Sequence, residues 1–304
     1  MKKNFGKILL PIITPFKENE EVDYEVFKEL LNYLIENNCF DTLIVTGTTG
    51  EFNTLTFEER VNLFEIAVKV LNGKKPIIAG TGCGSTRETI ALTKAAKSLG
   101  IDTCMIVAPF YCKPTQQAIK EHYLAIADEC DVDILLYNIP LFTGVNIEPS
   151  TLRELAKNKR FIGIKDEAGV NPVQLTDYYY AVKDINPDFL LINGDDIMLM
   201  PTIAQGAVAI VSGGAHILSK EIRQVFELCA AGKLEEAIEI YRKIFLFCKT
   251  NGINGRIHPN SMLRAAIEIV TGIKVGKPRR PLDGINEAER QILLNTLREI
   301  GLIK

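Results

Sequence analysis

Residues 134–167 read ILLYNIPLFTGVNIEPSTLRELAKNKRFIGIKDE. The apolar run from Ile134 leads to Tyr137-Asn138 and is broken by Pro140. A second apolar run, Phe161 to Ile164, ends on Lys165. Between them residues 149–157 have helical spacing, opened by Pro149 at a favourable first-turn position. Strand, crossover helix and strand in one short stretch is a β–α–β unit, the connection that parallel strands require. The strands are almost continuously apolar, as expected when both faces of a parallel sheet are covered.

The same rhythm extends in both directions. Residues 7–13, 42–46, 76–79 and 103–108 read as strands before this unit, and residues 189–193 and 208–212 after it. With 134–138 and 161–165 that makes eight. Helical segments are expected at 23–37, 56–71, 86–99, 115–129, 149–157, 172–183, 197–205 and 220–230. Thr56, Ser85 and Ser219, each followed by acidic residues, are start signals for three of them. Eight βα units in about 230 residues predict a (β/α)8 TIM barrel. The rival, a doubly wound sheet, expects a glycine-rich loop after its first strand, whereas this chain has Thr14-Pro15-Phe16. After residue 231 only helices are expected, at 234–247, 259–270 and 287–300. The predicted organisation is a barrel over 1–230 and a helical appendage over 231–304.

Composition agrees with an ordinary globular protein. The 304 residues are 47% hydrophobic and 24% charged, so disordered and collagen-like chains are excluded. A net charge of −3 without a basic stripe argues against nucleic acid as a partner. No apolar stretch approaches the roughly 20 residues that span a bilayer, and residues 8–13 are too short for a secretory core. The seven cysteines are widely spaced without a C-x-x-C, which points to reduced thiols and a cytoplasmic location.

In a barrel of this kind chemistry sits at the C-terminal ends of the strands. Those ends carry Thr48, Thr49, Tyr111, Tyr137, Lys165 and Gly194. A lysine partly removed from water loses ammonium character, and the neutral amine attacks ketones. Lys165 serves equally well, on position alone, as a structural partner for a barrel carboxylate. Tyr137 ends the adjacent strand and is either a proton-transfer group or a rim-packing ring; Tyr111 has the same two readings. Thr48 and Thr49 offer either an anion nest or a plain turn. Asp195, Asp196 and Glu51 leave a hard-metal site open. Ser212-Gly213-Gly214 leaves open a phosphate-binding barrel, catalytic or not.

Five segments in order resemble the family of dihydrodipicolinate synthase and N-acetylneuraminate lyase, pyruvate-dependent class I aldolases. They are Gly47-Thr48-Thr49-Gly50-Glu51, Pro109-Phe110-Tyr111-Cys112-Lys113-Pro114, Tyr137-Asn138-Ile139-Pro140 with Thr143-Gly144, Gly163-Ile164-Lys165-Asp166, and Gly194-Asp195-Asp196. The resemblance implies a TIM barrel, often a homotetramer, whose lysine at 165 forms a Schiff base with a 2-oxo acid. It implies Tyr137 as the proton-transfer residue, and Thr48 and Thr49 as carboxylate holders or proton relays. Tyr111 would reach across a subunit contact, and the carbonyl of Ile210 would line the site. The expected partners are a 2-oxo acid and an aldehyde, with no cofactor and no metal.

One position departs from the pattern. Dihydrodipicolinate synthases carry an arginine two residues after Tyr-Asn-x-Pro, where this chain has Phe142. A phenyl ring cannot make the bidentate, charge-assisted pair with the carboxylate of aspartate semialdehyde. Losing such a pair costs about 2–5 kcal/mol where the partner charge stays buried. Thr48 and Asn138 also depart from sialic-acid lyases. The reading placed first from sequence is therefore reversible cleavage of 2-keto-3-deoxy sugar acids. Dihydrodipicolinate synthase comes second, and a dehydratase or deaminase using the same imine third. Arg256 and Lys113 are candidates to replace the missing arginine.

Overall fold

The computed structural model describes residues 3–167 and 171–304. Eight parallel strands close in sequence order: β1 (Ile8–Pro11), β2 (Thr42–Val45), β3 (Ile77–Gly80), β4 (Thr103–Val107), β5 (Asp133–Asn138), β6 (Phe161–Asp166), β7 (Leu190–Asn193) and β8 (Ala209–Val211), with β8 returning to β1. The (β/α)8 expectation is met. Strand residues alternate between two apolar layers. Leu9, Ile44, Ile78, Met105, Leu135 and Ile192 fill the barrel interior, while Ile8, Leu43, Ala79, Ile106, Leu136 and Ile164 face the helices. Gly163 lets β7 approach β6 closely, because a Cβ there would stand 2.6 Å from the Leu190 carbonyl oxygen.

The helices on the outside are α1 (Tyr24–Glu36), α2 (Phe57–Leu71), α3 (Thr86–Ser98), α4 (Gln116–Glu129), α5 (Pro140–Thr143), α6 (Pro149–Leu155), α7 (Gln174–Val182), α8 (Leu199–Ala204) and α9 (Ala215–Ala230). Thr56 and Glu59 close a reciprocal capping box at the start of α2, and Ser85 accepts from the Glu88 N–H at the start of α3. The short α5, which the sequence reading lacked, carries Leu141 and Phe142 over the barrel mouth. α9 starts five residues earlier than residue 220. Its true start is held by Ser212, whose Oγ accepts from the Ala215 N–H at 2.9 Å. The sequence signal at Ser219 lies just after Leu218, whose φ of −118° interrupts the helix.

Three further helices follow: α10 (Leu234–Asn251), α11 (Asn260–Thr271) and α12 (Glu287–Glu299). α10 runs four residues past 247 because Thr250 and Asn251 continue its buried face. α11 returns to the barrel mouth. Its Arg264 is fully enclosed and donates from Nε and Nη2 to Glu51 Oε1, at 2.9 and 2.7 Å. Asn260 Nδ2 donates to the same oxygen at 2.8 Å and to the Thr49 carbonyl at 2.9 Å. The Arg279 N–H donates to Glu51 Oε2 at 2.9 Å. The C-terminal helices thus fasten the turn after β2.

Candidate active site

The ends of β5 and β6 set the site. Tyr137 and Lys165 are register partners, so both side chains enter the barrel on the same level. Their outward neighbours hold the two strand ends together. Asn138 Nδ2 donates to Asp166 Oδ1 at 2.8 Å, Gln174 Nε2 donates to the same oxygen at 2.8 Å, and the Glu167 N–H donates to the Asn138 carbonyl at 2.9 Å. Burial pushes the Asp166 carboxyl up to about 6, with Asn138 and Gln174 opposing the shift.

Lys165 is 5% exposed, and its Nζ lies 3.8 Å from the centre of the Tyr137 ring. The Tyr137 hydroxyl is 3.1 Å from Thr48 Oγ1, so phenol and threonine share a proton path. Burial also raises the Tyr137 phenol above its ordinary value, partly offset by Lys165. The lysine behaves differently from the sequence expectation. Burial alone would lower it, but Tyr137, Glu167 and Asp196 outweigh that effect and hold the amine above its ordinary value. These neighbours favour the charged form of the amine, and attack on a ketone requires the loss of its proton.

Thr48 and Thr49 sit in a tight turn flanked by Thr46 and Glu51, both with φ of 56°. Among the described residues neither threonine N–H has an acceptor, as an anion nest requires. Lys165, Tyr137, Thr48, Thr49 and Gly194 all line one cleft of about 250 Å³ at the barrel mouth. Gly194 is required there, because a Cβ would stand 2.5 Å from Lys165 Cε.

Two expected residues lie outside the cleft lining of a single chain. Tyr111 is 96% exposed with a φ of 69°, and it is not part of the cleft within one chain. The Ile210 side chain belongs to the layer between barrel and helices; at β8 the cleft is walled by Val211, Gly213 and Gly214. Both candidate replacements for the missing arginine are engaged or distant. Arg256 lines the cleft, but its guanidinium donates to Asp283 and Glu289. Lys113 packs against Gly144, outside the cleft lining. Phe142 stacks on His258, with ring centres 5.5 Å apart.

The open alternatives narrow. The Gly214 N–H that would receive a phosphate donates instead to Asp196 Oδ2 at 2.9 Å. Glu51 is consumed by Arg264 and does not meet Asp195 or Asp196. Among the described residues, no three His, Cys, Asp or Glu side chains are arranged to hold a metal ion. No described helix is long and apolar enough to cross a membrane.

Sequence reasoning missed Glu167. It lies two positions beyond Lys165, on the same side by strand periodicity, and its Oε2 is 3.7 Å from Lys165 Nζ. Burial pushes its carboxyl up to about 8, with Lys165 pulling against that shift.

The profile described as the dihydrodipicolinate synthetase family matches residues 4–300. A protein named 4-hydroxy-tetrahydrodipicolinate synthase from Oceanobacillus iheyensis is 36% identical, over 97% of either chain. The crystal structure of dihydrodipicolinate synthase DapA-2 from Bacillus anthracis is 34% identical, covers 97% of this chain and 98% of its own, and superposes with a TM-score of 0.90. The Cyanidioschyzon merolae structure described as DHDPS with lysine bound is 35% identical, covers 98% and 99%, and gives a TM-score of 0.91.

Proposed function

The chain belongs to the dihydrodipicolinate synthetase family and is a lyase of that family, and from that premise we propose that Lys165 forms an imine with pyruvate. The observation that carries this reading is the line from Lys165 Nζ over the Tyr137 ring to Thr48 Oγ1. The ammonium first passes its proton to the Tyr137 oxygen, which hands its own on through Thr48 to water. The amine then adds to the ketone carbon, and water leaves with the carbonyl oxygen. The protonated imine draws electrons from C3, which loses a proton to the Tyr137 oxygen, freed of its own when water left, to give an enamine. C3 attacks an aldehyde carbon, and the new alkoxide takes a proton from Tyr137. Hydrolysis of the imine frees the product; every step runs in reverse for cleavage. The N–H groups of Thr48 and Thr49 hold the carboxylate of the 2-oxo acid.

For the aldehyde, two readings have support. The relatives' names favour aspartate semialdehyde and the 4-hydroxy-tetrahydrodipicolinate synthase reaction, which reverses the order drawn from sequence. Phe142 and the engaged Arg256 favour an aldehyde without a carboxylate, hence a 2-keto-3-deoxy sugar acid as the cleavage substrate. We rank aspartate semialdehyde first because several relatives of full length share the name.

Borohydride reduction with pyruvate, read by peptide mass spectrometry, tests the imine. An adduct on Lys165 is expected; no adduct on folded protein overturns the reading. Aspartate semialdehyde and glyceraldehyde, offered in turn to the trapped-positive enzyme, decide the aldehyde. The exposed Tyr111 ring supports a homo-oligomer, dimer or tetramer, in which it serves a neighbouring copy; sedimentation of the wild type against Tyr111→Phe activity checks that. The seven unpaired cysteines support a cytoplasmic location.

A further inference from the structure

The turn assigned to the 2-oxo acid's carboxylate is controlled from the far end of the chain. Residues 48–51 form a β-turn closed by the Glu51 N–H, which donates to the Thr48 carbonyl at 2.9 Å. Its central peptide joins Thr49 to Gly50. Gly50 has no positive φ, so the turn is not of type II, which demands a positive φ at this third position. Successive N–H groups then point to one side of the turn and the carbonyls to the other. The glycine itself is indifferent to the choice, because it enters positive φ without penalty. Turning over the Thr49–Gly50 peptide would convert one form into the other and bring the Thr49 oxygen round to the N–H side.

The carbonyls are instead held away by donors. That of Gly50 accepts from Thr14 Oγ1 at 2.7 Å, and that of Thr49 accepts from Asn260 Nδ2 at 2.9 Å. Asn260 opens α11 and lies 211 positions further along the chain. It is fully enclosed and does not line the cleft, so it can act on a ligand only through the turn. Its second Nδ2 proton goes to Glu51 Oε1 at 2.8 Å, while its Oδ1 has no donor among the described residues. A buried acceptor without a donor is rare and costly. A leucine of similar size would avoid that cost, so the two donated bonds are what an asparagine offers here.

We propose that Asn260 is a positioning residue for the 2-oxo acid: by holding the Thr49 carbonyl it keeps the turn in the form whose Thr48 and Thr49 N–H groups face the carboxylate. The inference rests on the imine reading above and deepens it. Without Asn260 Nδ2 the Thr49 carbonyl is left buried and unpaired. Turning towards the mouth gives it water, and its oxygen then opposes the negative charge that the turn receives. The loss falls on ligands with a carboxylate and spares those without.

Two ketones separate this role from a structural one. Pyruvate and acetone present the same methyl ketone, with and without a carboxylate. The rate of borohydride-trapped adduct formation is measured with each, at equal concentration below saturation, on wild type, Asn260→Leu and Asn260→Asp, and on Nα-acetyl-lysine for the intrinsic ratio. No wild-type adduct with pyruvate sinks the imine reading itself, and this inference with it. With the adduct present, the wild type is expected to favour pyruvate by about 10²-fold beyond the intrinsic ratio. Asn260→Leu should lower that preference by about tenfold or more while the acetone rate stays within about twofold of wild type. Asn260→Asp keeps the shape, loses both donated bonds, and serves if Asn260→Leu does not fold. A wild-type preference no larger than the intrinsic one, equal losses for the two ketones, or a preference unmoved in the folded variants overturns the proposal while leaving the imine in place.

Discussion

Glu51 and Glu167 stand at the same end of one barrel and are supplied with donors very differently. Glu51 is fully enclosed and takes hydrogen bonds from Asn260, from two nitrogens of Arg264 and from the Arg279 N–H. Glu167 has Lys165 at 3.7 Å and an open side towards the cleft. A carboxylate whose lone pairs are all taken has nothing left to offer a ligand; it fixes geometry. One with spare lone pairs, beside a reactive amine, keeps its capacity for substrate or for a proton. Charge alone does not distinguish the two. The count of donors does.

The comparison can be broken most severely at the undersupplied end. Lys165→Ala should abolish the borohydride-trapped pyruvate adduct altogether; an adduct of equal yield on another lysine would move the chemistry out of this cleft. Tyr137→Phe should keep the adduct but slow turnover by about 10²–10⁴-fold, the usual size of a general acid–base contribution. Unchanged single-turnover rates would remove Tyr137 from the proton path.

At the saturated end the loss should be stability rather than chemistry alone. Arg264→Met leaves Glu51 buried without its cation, and denaturant unfolding should show a loss of about 3–5 kcal/mol. A midpoint equal to wild type would mean that Asn260 and the Arg279 N–H suffice. A smaller effect is expected from pH. His216 accepts the Ile13 N–H with Nε2 at 3.3 Å and has Nδ1 2.8 Å from the Gly213 carbonyl, so it is the neutral Nδ1–H form that fits. Burial holds it down to about 4, below the ordinary 6.5. The unfolded chain therefore binds more protons between these values, and stability falls as pH drops from about 6.5 towards 4. The full difference is on the order of 3 kcal/mol. Urea midpoints across that range should flatten in His216→Gln; an identical slope would assign the titration to another group.

The sequence made the barrel and half of the cleft readable, for a physical reason. Apolar strands mark themselves, and each strand end announces what faces the mouth, so Thr48, Tyr137 and Lys165 could be found by position. Glu167 could have been found by the same alternation, but a carboxylate just past a strand looks like ordinary solvated loop. The Ile210 side chain faces the helices, since adjacent strand residues point opposite ways, so the expectation for this residue concerns its carbonyl alone. The Glu51–Arg264 contact joins residues 213 positions apart, and no local pattern encodes it. The start of α9 was misplaced because Ser219 imitates a cap inside a helix that bends at Leu218.

The long reach of that contact also orders events in time. A protein made from its N-terminus has the turn bearing Thr48 and Thr49 out of the ribosome long before Asn260 and Arg264 follow. Until then Glu51 has no cation and the turn no fastening, so this turn of the mouth sets late. A chain halted during synthesis near residue 250 would carry Lys165 and Tyr137 but an unfinished grip, and the enzyme becomes competent only when nearly all of it has been made.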